Sequence, residues 1–83
     1  MKYLIEWKMK PKYRKESIKA IEDFKQPKEM KTVLAAHYCV ASNRGVAVVD
    51  VDDVTLIHKT LSPMLDFVNF EVTPVMPLFP DSD

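Results

Sequence analysis

Two apolar runs, TVLAAHYCVA (Thr32 to Ala41) and VAVVDV (Val46 to Val51), stand on either side of the short segment SNRG. That segment has the residue types of a hairpin turn, and Gly45, the only glycine of the chain, is expected to supply a positive φ there. In an extended backbone, Val46 and Val48 project one way and Ala47, Val49 and Val51 the other. A strand that is apolar on both sides is covered on both sides. The second half of the hairpin therefore belongs to a sheet with something packed on each face.

The remaining segments say what covers one of those faces. KYLIEWKM (Lys2 to Met9) alternates Tyr3, Ile5, Trp7 and Met9 against Leu4, Glu6 and Lys8, the period of a strand, and Pro11 stops it. From about Lys12 to Phe24, Ile18, Ile21 and Phe24 form the inner stripe of a helix that Pro27 terminates. Asp52 or Asp53 caps a second helix with Val54, Ile57 and Leu61 inward, and Ser62-Pro63 ends it or restarts it as a short turn. VNFEVTPVM (Val68 to Met76) is the fourth strand. The order β-α-β-β-α-β predicts an α+β, ferredoxin-like domain over residues 1–76, with antiparallel sheet order 4-1-3-2 and a Pro-containing tail over 77–83. Both helices then lie on one face. A second copy is expected on the other, pairing two sheets into a dimeric α/β barrel.

At 83 residues such a domain buries only about 60–65% of the surface its unfolded chain exposes, so its own stability margin is thin. Cys39 is the only cysteine, which excludes an internal disulfide and points to a cytoplasmic protein. Charges at Lys2, Glu6, Lys8 and Lys10 interrupt the start of the chain, so neither a signal peptide nor a spanning helix is expected. The formal charge of zero conceals ten Lys/Arg against five Asp/Glu in residues 1–31, and two against seven thereafter. A polar chain of this kind can steer an anionic ligand or join copies end to end, although a lysine-rich helix facing water explains it more simply.

The layout, together with Trp7, Lys10 and Pro11 in and after the first strand, RGVAVV (Arg44 to Val49), the Asp52-Asp53 helix start and above all FEVTPV (Phe70 to Val75), resembles the family called domain of unknown function 3303. The resemblance covers nearly the whole chain. It implies the dimeric α/β-barrel fold and carries no reaction or cofactor with it. Members of the family often carry a Trp-His pair in the second strand, where this chain reads His37-Tyr38.

The same fold builds RNA-recognition modules, and RGVAVVDV fits the frame of their third-strand signature. The places of the base-stacking aromatics hold Val46, Val48 and Val51, so nucleic acid is not expected as a partner. That frame also turns Val46, Val48 and Asp50 toward the helix-free face. Strict alternation in the second strand groups His37 and Cys39 with Val33 and Ala35, and Tyr38 with Leu34, Ala36 and Val40.

Candidate catalytic groups are Glu6, His37 and Glu71. Glu6 and Glu71 lie mid-strand in strands that the fold makes neighbours, and two carboxylates enclosed together would raise at least one pKa toward that of a general base. Pairing with a lysine such as Lys8 is their plainer role. Trp7, Tyr38 and Asp50 are the candidate ligand-binding residues, the two rings as pocket walls. No metal is expected, because His37, Cys39 and His58 do not complete a four-ligand set, and no cofactor is expected either. With one glycine there is no phosphate-cradling loop. Two functions remain: a cofactor-free binder or enzyme for a small, partly aromatic molecule inside the barrel, with monooxygenase- or isomerase-type chemistry, and a non-catalytic dimeric interaction module with a filled barrel. Pro74, Pro77 and Pro80 recur every third residue, as in polyproline II, which makes Met76, Leu78 and Phe79 a candidate strap onto a neighbouring subunit.

Overall fold

The computed structural model describes residues 1–79. Strand β1 (Lys2–Met9) leads through a 3-10 turn at Pro11–Tyr13 into α1 (Arg14–Glu22). The hairpin β2 (Lys31–Tyr38) and β3 (Arg44–Asp50) follows, then α2 (Val54–Leu61), a second 3-10 turn at Ser62–Met64, and β4 (Val68–Val75). The sheet order is β2-β3-β1-β4 with every neighbouring pair antiparallel. This is the ferredoxin-like order expected, and β1 and β3 hold its centre. Pro74 lies inside β4, where an edge position tolerates the missing donor.

Register fixes what each face carries, since residues directly opposite in antiparallel strands share a side. Ile5 lies opposite Ala47 and Val72, and Tyr3 opposite Val49. These residues face the helices and meet Met30, Val51, Ile57, Leu61 and Met64 in one core. On the helix-free side Leu4 lies opposite Val48 and Thr73, and Glu6 opposite Val46 and Glu71. Asp53 caps α2 by accepting from the Thr55 amide at 3.0 Å, which leaves Ile57 and Leu61 buried on its inner side and Val54 45% exposed.

Three expectations need correction. The inner stripe of α1 is Ser17, Ala20 and Phe24, not Ile18, Ile21 and Phe24: Ser17 is fully buried, Ala20 and Phe24 pack on the core, and Ile18 and Ile21 are about two-fifths exposed. The reason is polar. The Ser17 hydroxyl lies 2.8 Å from the Tyr13 carbonyl and 3.1 Å from that of Phe67, and this anchor rotates the helix by one residue. Second, β2 does not alternate strictly, because register shifts fall between Thr32 and Leu34 and again between Leu34 and His37. All eight of its residues are exposed in the single chain.

The third correction concerns Gly45, which has no positive φ; Ala41 takes that conformation in the connecting turn, at φ 57°. The turn closes through the Ser42 amide onto the Cys39 carbonyl at 3.2 Å and the Cys39 amide onto the Arg44 carbonyl at 2.9 Å. Gly45 is buried opposite Trp7, and the Trp7 indole occupies the space that a Cβ at position 45 would need. A side chain there forces the ring off its seat. Gly45→Ala should therefore destabilise by about 2 kcal/mol, the usual range for overpacking. Urea denaturation measures it, and an unchanged midpoint would show that the ring yields without cost.

The chain start is tied down by charge. The N-terminal ammonium donates to the Asp50 carboxylate at 2.9 Å and to the Val51 carbonyl at 3.1 Å. That hydrogen bond, aided by the charges of the ammonium, Lys2 and Lys31, holds the Asp50 pKa below its ordinary value. A depressed carboxylate stabilises the fold above the ordinary carboxylate range, and the contribution fades as pH falls through the folded-state pKa. Asp50→Asn should accordingly lower the melting temperature at neutral pH, and the gap to wild type should close on acidification. Parallel melting curves across the two regimes test it; a gap that persists in acid assigns the loss to packing instead.

Candidate functional site

On the helix side of the sheet, the rotation of α1 and the irregularity of β2 leave a cleft of about 200 Å³. Its floor is Ile5, Trp7, Ala47 and Val49; Leu61, Met64 and Phe70 close one end, and Ile21, Phe24 and Met30 the other. No ionisable side chain lines it. The polar groups at its edge come from Gln26 and Thr32, where the Gln26 amide nitrogen donates to the Met30 carbonyl and, at 2.9 Å, to the Thr32 hydroxyl. Chemically this is an apolar slot open to solvent at the Gln26 and Thr32 edge, with aromatic walls and one hydrogen-bonding corner. It suits an uncharged ring and offers nothing to a phosphate or carboxylate.

The other face carries the titratable candidates. His37 lies opposite Val46, Val46 opposite Glu6, and Glu6 opposite Glu71, so the three form one row across the sheet. Glu6 and Glu71 are direct neighbours, with Cβ atoms about 5 Å apart in such a pair, whereas His37 stands two strands from Glu6, roughly 9–10 Å away. Arg44 relieves the like-charge contact: its guanidinium lies 3.7 Å from the Glu6 carboxylate. Both partners keep water contact, with side chains 57% and 35% exposed, and Glu71 is exposed as well. The ordinary role expected for Glu6, an ion pair, is present with Arg44 in place of Lys8. His37 Nδ1 sits 2.6 Å from the Ala35 carbonyl, which its ring N–H satisfies. Asp50 shares this face but is engaged by the N-terminus.

The sequence candidates are thus divided between two sides of one sheet. Trp7 walls the helix-side cleft; Tyr38, opposite Gly45, extends the same row toward the sheet edge and is half exposed. Glu6, His37 and Glu71 lie on the far side. His37 falls with Glu6 because the two register shifts between it and Thr32 cancel: Thr32 pairs with Val49 on the helix side and His37 with Val46 on the far side, as plain alternation would place them. Cys39 is exposed at the hairpin, and no group of three or more His, Cys, Asp or Glu able to hold a metal occurs among the described residues. Nor is any described helix long and apolar enough to cross a membrane.

Reading the sequence alone misses Phe24, Gln26, Met30 and Thr32 as cleft residues. The available signal was the placement of a single amide between Phe24 and Pro27 in a segment that otherwise reads only as a helix stop. No curated protein matches the chain. The β-α-β-β-α-β sheet and the FEVTPV strand at its edge are what the resemblance called for, and a family model matches residues 1–78: the chain belongs to the family described as Domain of unknown function (DUF3303).

Proposed function

We propose that the protein is a homodimeric binder of a small, partly aromatic molecule, held in the helix-side cleft, without acid-base catalysis and without a cofactor. The observation that carries this reading is the cleft itself, about 200 Å³ walled by Trp7, Phe24 and Phe70 with no charge in its lining. Engineered cavities of about 150 Å³ lined by Leu, Ile and Phe stay dry and take up benzene, so a slot of this size and composition is adequate for one ring. The residues that could move a proton lie across the sheet, out of reach of such a ligand, which favours binding over monooxygenase- or isomerase-type chemistry. Ala47→Leu should fill the floor and abolish ligand-induced stabilisation. A ligand at 100 times its Kd raises stability by about 2.7 kcal/mol, readily seen as a thermal shift. Equal shifts in wild type and Ala47→Leu would dismiss the cleft.

The dimer is supported by area and composition. The chain exposes 6243 Å², against about 5,100 Å² for a compact monomer of its mass. Exposed β2 and the apolar residues Met76, Leu78 and Phe79 contribute to that excess, and a second copy would cover such surface. On the helix-free face, Leu4, Val46 and Val48 form an apolar centre flanked by the Glu6–Arg44 pair, a composition suited to a second copy of the same surface. Met76, Leu78 and Phe79 add exposed apolar surface next to β4 and would strap the partner or join a higher oligomer; Pro80 and the residues after it lie outside the described residues. A non-catalytic module with a filled barrel is the second reading, favoured by the exposure of β2 and of this tail. Val48→Lys should give a monomer or an insoluble protein, and truncation after Val75 should lower either oligomeric mass or melting temperature. Light scattering at micromolar concentration decides: a folded wild-type monomer removes the dimer, and an unaltered truncated protein removes the strap.

A further inference from the structure

We propose that the ring the cleft selects carries a hydroxyl: the ligand is a neutral single-ring phenol, whose O–H is read by Gln26 and Thr32. The inference rests on the reading that the cleft holds a ligand, and adds the chemistry of that ligand. The Met30 carbonyl can only accept, so the Gln26 group beside it is the amide nitrogen, and the orientation of the amide follows. Its second N–H is spent on the Thr32 hydroxyl at 2.9 Å. Two groups are left over. The Gln26 Oε1 accepts no hydrogen bond from the described residues, and the Thr32 hydroxyl, already accepting, has its own proton to give.

An acceptor and a donor therefore stand side by side at the edge of an apolar slot. A phenolic hydroxyl is the small group that answers both, donating to Gln26 Oε1 and accepting from Thr32 Oγ1. An ether or a carbonyl answers only the donor. A carboxylate would bring a charge into a lining with no cation, at a desolvation cost that no residue there offsets. The ring lies against Trp7, Phe24 and Phe70, and a cleft of about 200 Å³ is sized for a small ring compound rather than a drug-sized ligand.

Trp7 is the only tryptophan, so its emission reports occupancy of the cleft directly. Titrations of the full chain with phenol, toluene and benzoate separate the terms: one ring size, with a hydroxyl, a methyl or a charge. Two neutral hydrogen bonds should favour phenol over toluene by roughly ten- to a hundredfold, with benzoate weakest. Thr32→Val, which keeps shape and removes the donor, should erase most of that preference and leave toluene binding unchanged. Gln26→Leu should do the same, but it releases the buried Met30 carbonyl, whereas Thr32→Val frees only the second N–H of Gln26 at the solvent-exposed edge, so Thr32→Val is the milder arm. Toluene binding as tightly as phenol, or a preference that survives Thr32→Val, overturns the phenol assignment while the cleft stands. Failure of all three rings to alter Trp7 emission overturns the cleft as well.

Discussion

The contact on which the other features depend is the seat of the Trp7 indole over the bare backbone of Gly45. It uses the only tryptophan and the only glycine of the chain, one from each of the two central strands. Because the indole occupies the place where a side chain at position 45 would stand, it reaches across β3 on the helix side of the sheet, away from its other neighbour Phe70 on β4. That posture sets the floor of the cleft. It also explains the turn chemistry, since the glycine is committed beneath Trp7 and the left-handed position falls to Ala41, at the modest cost an L-residue incurs there.

From that floor the rest of the helix side follows. The inward residues of α1 are the small Ser17 and Ala20, and Phe24 follows just after its end, so the helix itself puts little bulk over the Trp7 side of the sheet. Small residues bring the start of the helix close to the sheet, where the buried Ser17 hydroxyl finds its carbonyls. The far end is held off by Phe24, and the segment after it returns through Gln26 to Met30. The cleft therefore lies where small inward residues of α1, Phe24 after it and the Trp7 indole on the sheet leave space between them.

Patterns with a strong period were legible in the sequence; features set by one polar contact were not. Alternation in Tyr3, Ile5, Trp7 and Met9 placed β1 and its faces, and the Asp52-Asp53 start placed α2, because burial and capping act on runs of residues. The phase of α1 was misread since Ile18 and Ile21 outweigh Ser17 on any hydrophobic scale, whereas in the fold two hydrogen bonds to a hydroxyl decide which side turns in. In β2 the opposition of His37 and Tyr38 was legible, because the second register shift undoes the first; only the residues between the shifts, with Leu34 opposite Val48, depart from plain alternation, and a bulge leaves no periodic trace. Of the site candidates, Trp7 was placed against a cavity by its size alone. Glu6 and Glu71 were read as neighbours across strands and the register pairs them; their separation from Trp7 follows from the alternation of β1, whereas the side taken by His37 was left open.

The two faces are nonetheless one object, because a sheet is a single backbone thick. In β3 the residues that floor the cleft, Ala47 and Val49, alternate with Val46 and Val48 on the helix-free side. Any partner that packs against Val46 and Val48 fixes the backbone between them, and thereby the position of Ala47 beneath a ligand. The edge strand β2 has the least support of its own, with both faces exposed and two breaks in its ladder, yet it supplies Thr32 to the corner of the cleft. Elements with few buried contacts and interrupted hydrogen bonding are the first to open. Closure of the helix-free face would therefore act on the cleft through β2 and β3, steadying the hydroxyl of Thr32 against the amide of Gln26 from the opposite side of the sheet. On the proposed reading, a small domain with a thin margin of its own would gain rigidity at the Gln26–Thr32 corner from pairing, which would give a physical reason for apolar strands that two copies can share.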